Sequence, residues 1–357
     1  MSYLLAFLGF VALIVLHEGG HFIAAKAVGM RVERFSLFFG PLLVKVRRGE
    51  TEYGIGPLPF GGYVRITGMN PNEELAPEVA GRAYYNQPVW KRVVVIAAGP
   101  AMNLLIAFVI VWALFISSGV PVVTKRVAAV EKSSVAATAL KTGDVIVSVD
   151  GVSGSPDAIR NQIGTHKCAG AQVDNCLAAT PARIVVRRDG RVLTFELRPR
   201  YSAANDRPLL GFTFGQGSQS VGPAHAASLT VTGLWGVTKQ TVSAIVRIFE
   251  PKDRKQVHGI VGGYTIAQQS FATSTTLALE VLALISLSLA VINLFPFLPL
   301  DGGHIFWALA EKVRGRRIPF EVMERAGVVG FVLIVMLFVI GLSNDISTLS
   351  GSGFNVR

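Results

Sequence analysis

The chain has 357 residues, 51% of them hydrophobic and 16% charged, against roughly 25% charged in a soluble globular protein, which excludes a disordered chain and a wholly soluble enzyme. A net charge of +11 would suit a nucleic-acid binder were the mean hydropathy not +0.48; basic residues gathered in the short cytoplasmic loops of a membrane protein account for it better, and no nucleic-acid partner is expected. Two cysteines exclude a disulfide scaffold and a Cys-based structural zinc site, and the length allows two or three units.

Four stretches without Asp, Glu, Lys or Arg can cross a hydrocarbon core that needs roughly 20 helical residues: Met1 to His17, Val93 to Thr124, Val281 to Leu300 and Ala326 to Asn344. The first has no basic n-region and no small-residue cleavage site, so it is expected to be a retained span reaching Val28 rather than a signal peptide.

Span one contains His17-Glu18-Gly19-Gly20-His21. On a helix turning about 100° per residue, His17 and His21 lie about 40° apart and Glu18 about 100° from His17, so two imidazoles and a carboxylate point one way. The pattern is H-E-x-x-H, in which the histidines bind zinc and the glutamate, not needed as a ligand, is free to act as general base. Ionisable groups at a helix centre in a membrane cost about 2.5 to 3.5 kcal/mol each, so three within one turn point to a metal. Gly19 and Gly20 cost the helix about 1 kcal/mol each relative to Ala; the room they leave suits an extended substrate.

Lys26 to Arg92 carries ten basic and six acidic residues and is expected on the cytoplasmic side. It holds the glycine-rich stretch Tyr53-Gly54-Ile55-Gly56-Pro57-Leu58-Pro59-Phe60-Gly61-Gly62-Tyr63. Span two includes Gly99-Pro100-Ala101-Met102-Asn103. Beyond it, Val122 to Val130 is strand-like, Val135 to Leu140 helical, Val145 to Val149 a strand between two turns, and Arg183 to Arg187 with Val192 to Leu197 a hairpin about Asp189-Gly190. This region resembles a PDZ domain of the bacterial protease type, Leu140-Lys141-Thr142-Gly143-Asp144-Val145-Ile146 being close to that family's usual string. Cys168 and Cys176 lie inside it, either bonded, closing a loop of about nine residues, or as two free buried thiols.

Val221 to Phe249 is moderately amphipathic, with Trp235, Val242, Ile245 and Phe249 as candidate anchors; it suits a membrane-surface helix or a connecting helix packed on the soluble domain. Span three ends in Asn293-Leu294-Phe295-Pro296-Phe297-Leu298-Pro299-Leu300-Asp301-Gly302-Gly303-His304, whose two prolines break the helix; broken backbone at membrane depth is tolerated where it lines a protein cavity. The loop before span four holds Lys312, Arg314, Arg316, Arg317 and Arg325, again a cytoplasmic signature. Both termini and Val120 to Thr275 then lie outside.

Catalytic zinc needs a third protein ligand. His17 lies about 26 Å along span one, hence toward the cytoplasmic end, where Asp301, the sole carboxylate of the span-three cluster, also lies. A His17, His21, Asp301 site follows, with His304 as a supporting group or alternative ligand. His166, His225 and His258 are expected to be ordinary surface histidines.

With these residues the chain resembles the site-2 protease family of zinc intramembrane metalloproteases, in its bacterial RseP-like branch. His17-Glu18-x-x-His21, the G-x-x-x-N element Gly99 to Asn103, Leu300-Asp301-Gly302 and one PDZ-like domain between spans two and three carry the resemblance over nearly the whole chain. It implies that His17, His21 and Asp301 bind Zn2+, that Glu18 is the catalytic acid/base, that Asn293 helps hold substrate, and that Asn103, a second substrate-binding candidate, packs near the site where its amide can hydrogen-bond in an apolar setting. Two departures stand out. The family's usual second proline falls at Leu298, with Pro299 one residue later, and one PDZ-like domain stands where the namesake has two. The glycine-rich stretch resembles the family's membrane-associated β-hairpin or loop, able to pair with an unwound substrate strand.

The expected architecture is therefore a polytopic α-helical membrane protein of about four transmembrane helices with an inserted β-rich PDZ-like domain. Its parts are an N-terminal membrane core (1–119), an extracytoplasmic PDZ-like domain (120–201), a connecting amphipathic segment (202–275) and a C-terminal membrane core (276–357). The resemblance implies a multi-pass protein of the bacterial cytoplasmic (inner) membrane that cleaves transmembrane segments of single-pass substrates pre-trimmed by another protease, such as anti-sigma factors or remnant signal peptides. The partners are those substrates and the lipid bilayer. A membrane-anchored PDZ adaptor with a structural zinc site, and a zinc or proton transporter, are the competing readings.

Overall fold

The first apolar stretch, free of charge until Glu18, forms one unbroken helix, α1 (Ser2–Ala27), in the computed structural model, which describes residues 2–70, 73–246 and 260–351. Gly29 at positive φ ends this segment, and the chain enters a sheet of β1 (Val32–Phe39), β2 (Val44–Arg48), β3 (Thr51–Ile55) and β4 (Leu58–Ile66). The order is β2-β3-β1-β4, with β1 parallel to β3 and antiparallel to β4, so β4 forms one edge. The glycine-rich stretch is thus part of a four-stranded sheet. Its Phe35 and Tyr53 rings meet Phe22 of α1 at centroid distances of 5.5 and 5.8 Å. At the β2–β3 turn, Glu50 accepts from Arg82 at 2.8 Å through both guanidinium nitrogens and from Lys26 at 2.6 Å. Those charge-assisted bonds, from Arg82 first and then Lys26, pull the Glu50 carboxyl down to about 2 and pin the turn to the end of α1.

After a short α2 (Pro77–Ala80), α3 (Val89–Ser118) is the second long apolar helix. Ala25, Met30, Val32, Ile66, Tyr84, Val95 and Ile96 form a buried cluster between α1, the sheet and α3. Apolar contact, not backbone pairing, fixes the sheet to these helices.

The chain divides into two units, Met1–Leu114 with Pro223–Arg357, and Phe115–Gly222. The second has a five-stranded sheet, β11-β5-β6-β7-β8, made from β5 (Val120–Val130), β6 (Val145–Val149), β7 (Ala182–Arg188), β8 (Arg191–Leu197) and β11 (Phe212–Gln219). It also holds α4 (Pro156–Gly164) and the short pair β9 (Arg200–Ser202) and β10 (Arg207–Leu209). Asp189 and Gly190, both at positive φ, make the β7–β8 turn. The unit runs past residue 201 because β11 pairs along β5. Ile146, Ile159, Ile184 and Val186 are fully buried in its core. Cys168 and Cys176 are disulfide-bonded. His166 corrects its sequence reading: it is a buried residue, not a surface one, with Nε2 2.7 Å from Asp150 Oδ2 and Nδ1 3.1 Å from Thr180 Oγ1.

Within the first unit, α5 (Pro223–Val246) sets Leu234 and Val237 against Ala107, Leu287 and Val291, so its packed face meets the apolar spans. Trp235 and Val242 are exposed; the Ile245 side chain, Phe249 and His258 lie outside the described residues. The helices α6 (Ile260–Thr273), α7 (Thr275–Asn293), α8 (Asp301–Arg314) and α9 (Phe320–Ser350) follow. Among the described residues four helices, α1, α3, α7 and α9, are long and apolar enough to cross a membrane. The protein is a helical membrane protein with an inserted β unit. The third span is helical to Asn293, and residues 294–300 are turns, because Pro296 and Pro299 cannot continue a ladder.

Candidate metal centre

His17 and His21 lie one turn apart on α1, and Asp301 is the first residue of α8, beside the positive end of that helix. His17 Nε2 and His21 Nε2 are 3.3 Å apart, and each is 3.4 Å from Asp301 Oδ2. A metal about 2.0 to 2.1 Å from three ligands at tetrahedral angles requires ligand–ligand edges of about 3.3 to 3.4 Å, so the triangle fits zinc. Asp301 Oδ2 is buried with no hydrogen-bond donor, which a cation would satisfy. His304 lines the same cavity but is not part of this three-ligand group.

Supports for the ligands come from α3. His21 Nδ1–H donates to the Val95 carbonyl at 2.9 Å, which leaves Nε2 bare and aimed at the metal position. Pro100 in the same helix has no N–H to give the Ile96 carbonyl, next to Val95. A Cβ at Gly99 would overlap the His21 ring, and one at Gly20 would overlap the Ala98 carbonyl. Gly20 therefore serves close packing of α1 on α3 rather than substrate access, whereas Gly19 has open space.

Asn103 is fully buried, its side-chain amide 3.2 Å from His17 Nδ1 and its backbone carbonyl accepting from the Ser286 hydroxyl at 2.8 Å. The two ends of an amide are alike in outline, so hydrogen bonding decides its orientation. With Nδ2 toward His17, Oδ1 is buried without a partner. With Oδ1 toward His17 the amide accepts the Nδ1–H that a neutral, Nε2-coordinating imidazole carries. Asn103→Leu is accordingly expected to weaken zinc binding by about 10- to 100-fold, while Asn103→Asp, which keeps the acceptor, retains most of it. Chelator competition on the purified protein measures both.

A cavity of about 430 Å³ opens beside the three ligands, lined by Glu18, Asn293 and apolar residues including Ile14, Ile96 and Leu289. Gly61, Gly62, Tyr63 and Val64 of the edge strand β4 form another wall. A Cβ at Gly62 would come 2.9 Å from Glu18 Cγ, so a side chain there would displace the Glu18 side chain. Gly302 and Gly303 likewise let α8 press against residues 294–298.

Two histidines and a carboxylate at zinc spacing, a free glutamate beside them and an open cavity define a membrane-embedded metallopeptidase. A model of peptidase family M50 matches residues 5–337, and the chain belongs to that family. It is 33% identical to zinc metalloprotease Rip1 of Mycobacterium tuberculosis, over 84% of this chain and 83% of that protein. It is 31% identical to zinc metalloprotease Rip1 of Mycolicibacterium smegmatis, over 90% and 88%. CPE1693 of Clostridium perfringens is 31% identical over 97% and 98%. The protein is a zinc metalloendopeptidase of the site-2 protease type.

Val95 and Ser286 carry no sequence signal as parts of the site, and the packing roles of Gly20 and Gly99 are not legible there. A backbone acceptor leaves no trace in sequence, and a glycine's role depends on what lies opposite it. The G-x-x-x-N spacing was the one available signal, since it places Gly99 and Asn103 a turn apart.

Proposed function

We propose that the protein hydrolyses peptide bonds within or beside transmembrane segments of single-pass proteins, with His17, His21 and Asp301 holding zinc and Glu18 as acid/base. The observation that carries this reading is the triangle of 3.3 to 3.4 Å between the three ligand atoms, set among apolar spans with Glu18 on the wall of the adjoining cavity. When held by His17, His21 and Asp301, zinc would supply Lewis acidity to a peptide carbonyl and to water. The Glu18 carboxylate takes the proton from the attacking water and returns it to the leaving amide nitrogen. A helical substrate carbonyl is hydrogen-bonded and shielded, so the segment must unwind first. The unpaired edge of β4 can hold it extended by strand addition, and Asn293 offers an amide to its backbone.

Basic residues on 26–92 and in the loop 312–325 support a zinc end of the cavity that faces the cytoplasm. The β unit, Phe115–Gly222, then lies outside the inner membrane, a compartment that suits its disulfide. There it excludes bulky proteins, so substrates arrive pre-trimmed by another protease, as membrane-bound anti-sigma factors or remnant signal peptides do. Membranes from cells carrying Glu18→Gln protein should accumulate uncut single-pass proteins or their membrane stubs relative to wild type, by quantitative proteomics. Accumulation of soluble proteins alone would overturn the reading.

A further inference from the structure

Arg92, near the start of α3, is only 5% exposed, and Glu311, near the end of α8, is 15% exposed. They form a two-pronged ion pair, Nη1 to Oε2 at 3.0 Å and Nη2 to Oε1 at 2.8 Å. The guanidinium also lies 5.7 Å from the centroid of Tyr85, whose hydroxyl donates to the Ile318 carbonyl at 3.2 Å. Arg92 Nε is buried without a partner. Such a pair is a poor way to gain stability, since desolvating two charges offsets most of their attraction and apolar residues of similar size hold helices together as well or better. What it provides is a fixed direction and a fixed length between two planar groups.

We propose that Arg92 and Glu311 are a positioning pair that sets Asp301 against the two histidines; this rests on the reading that His17, His21 and Asp301 hold the metal. Asp301 follows residues 294–300, which are not helical, so α7 does not run on into α8; Gly302 and Gly303 pack the start of α8 on residues 294–298, and Glu311 fixes its far end. Among the described residues, Arg92–Glu311 is the one ion pair joining α8 to another element, apart from the approaches of Asp301 itself to His17 and His21. The spacing matches this role. Arg92 and Asn103, which touches His17, are about 16 Å apart along α3, and Asp301 and Glu311 about 15 Å apart along α8. Two legs of nearly equal length are thus closed at one end by the metal ligands and at the other by the ion pair. Loss of the pair lets α8 shift along or turn about its axis, and Asp301 moves with it.

The test measures zinc dissociation constants by chelator competition on the full chain in detergent, with circular dichroism to check helix content. Glu311→Gln and Arg92→Gln are expected to raise the constant roughly tenfold with helix content kept, and to lower kcat while KM changes little. The exchanged pair, Arg92→Glu with Glu311→Arg, is expected to recover most of the affinity. Wild-type zinc affinity in the single variants overturns the proposal, and so does an exchanged pair as weak as the singles. If the single variants do not accumulate, the exchanged pair decides: tight zinc supports the proposal and weak zinc overturns it. Asp301→Ala separates the two levels, because unchanged zinc in that variant defeats the metal-site reading itself, whereas lost zinc there with normal zinc in Glu311→Gln defeats only the positioning role.

Discussion

Glu18→Gln is expected to abolish cleavage of a model transmembrane substrate while leaving zinc bound. The substitution keeps the shape of the side chain and removes the proton acceptor. General acid/base groups contribute about 10²- to 10⁴-fold to rate, or about 3 to 5 kcal/mol of barrier, so activity should fall by at least that range. Glu18 is not one of the three clustered ligands, so metal content should stay at the wild-type level. Purified protein in lipid nanodiscs, assayed by mass spectrometry of the products alongside metal analysis, gives both numbers. Metal-dependent cleavage retained in the variant would remove Glu18 from the chemistry, and loss of zinc together with activity would make it a ligand.

Asp301→Ala should do the reverse of that separation, taking zinc and activity together. The carboxylate oxygen is the third corner of the ligand triangle and is buried with no donor of its own. Its removal leaves two imidazoles on one helix turn, too few for a catalytic zinc site, and zinc affinity should drop by more than the roughly 100-fold limit seen for supporting residues. Insertion should be preserved, because the spans owe their stability in the membrane to apolar surface and internal backbone hydrogen bonds. Unchanged zinc content by plasma emission spectrometry would take Asp301 out of the site and leave His304, on the same cavity wall, as the next ligand to test.

The two predictions differ because the two carboxylates differ in what surrounds them, and only part of that difference is written in the sequence. Periodicity alone put His17, Glu18 and His21 on one side of a turn, since helix geometry fixes angular spacing over five residues whatever the rest of the chain does. Runs free of charge set the four spans, because hydrocarbon leaves the backbone no other way to satisfy its hydrogen bonds. Strand alternation and the Asp189-Gly190 turn likewise defined the hairpin of the β unit, local features with local causes.

Contacts between distant segments were decided only by the tertiary structure. That Gly99 makes room for the His21 ring, that Val95 supplies its acceptor, that Asn103 turns its amide to His17 and that Arg92 meets Glu311 each joins positions far apart in the chain, and no periodicity encodes such pairings. Gly20 illustrates the limit: its sequence suggested open space, and its neighbour across the helix interface made it a packing residue instead. His166 is the same case in the β unit, where a histidine without any motif is buried against Asp150 and Thr180. The sequence by itself determined that two histidines and a glutamate share one turn of an apolar span, because composition and helical spacing suffice for that. Their separation to a few tenths of an ångström was settled by packing, which depends on the shapes of residues brought together only when the chain folds.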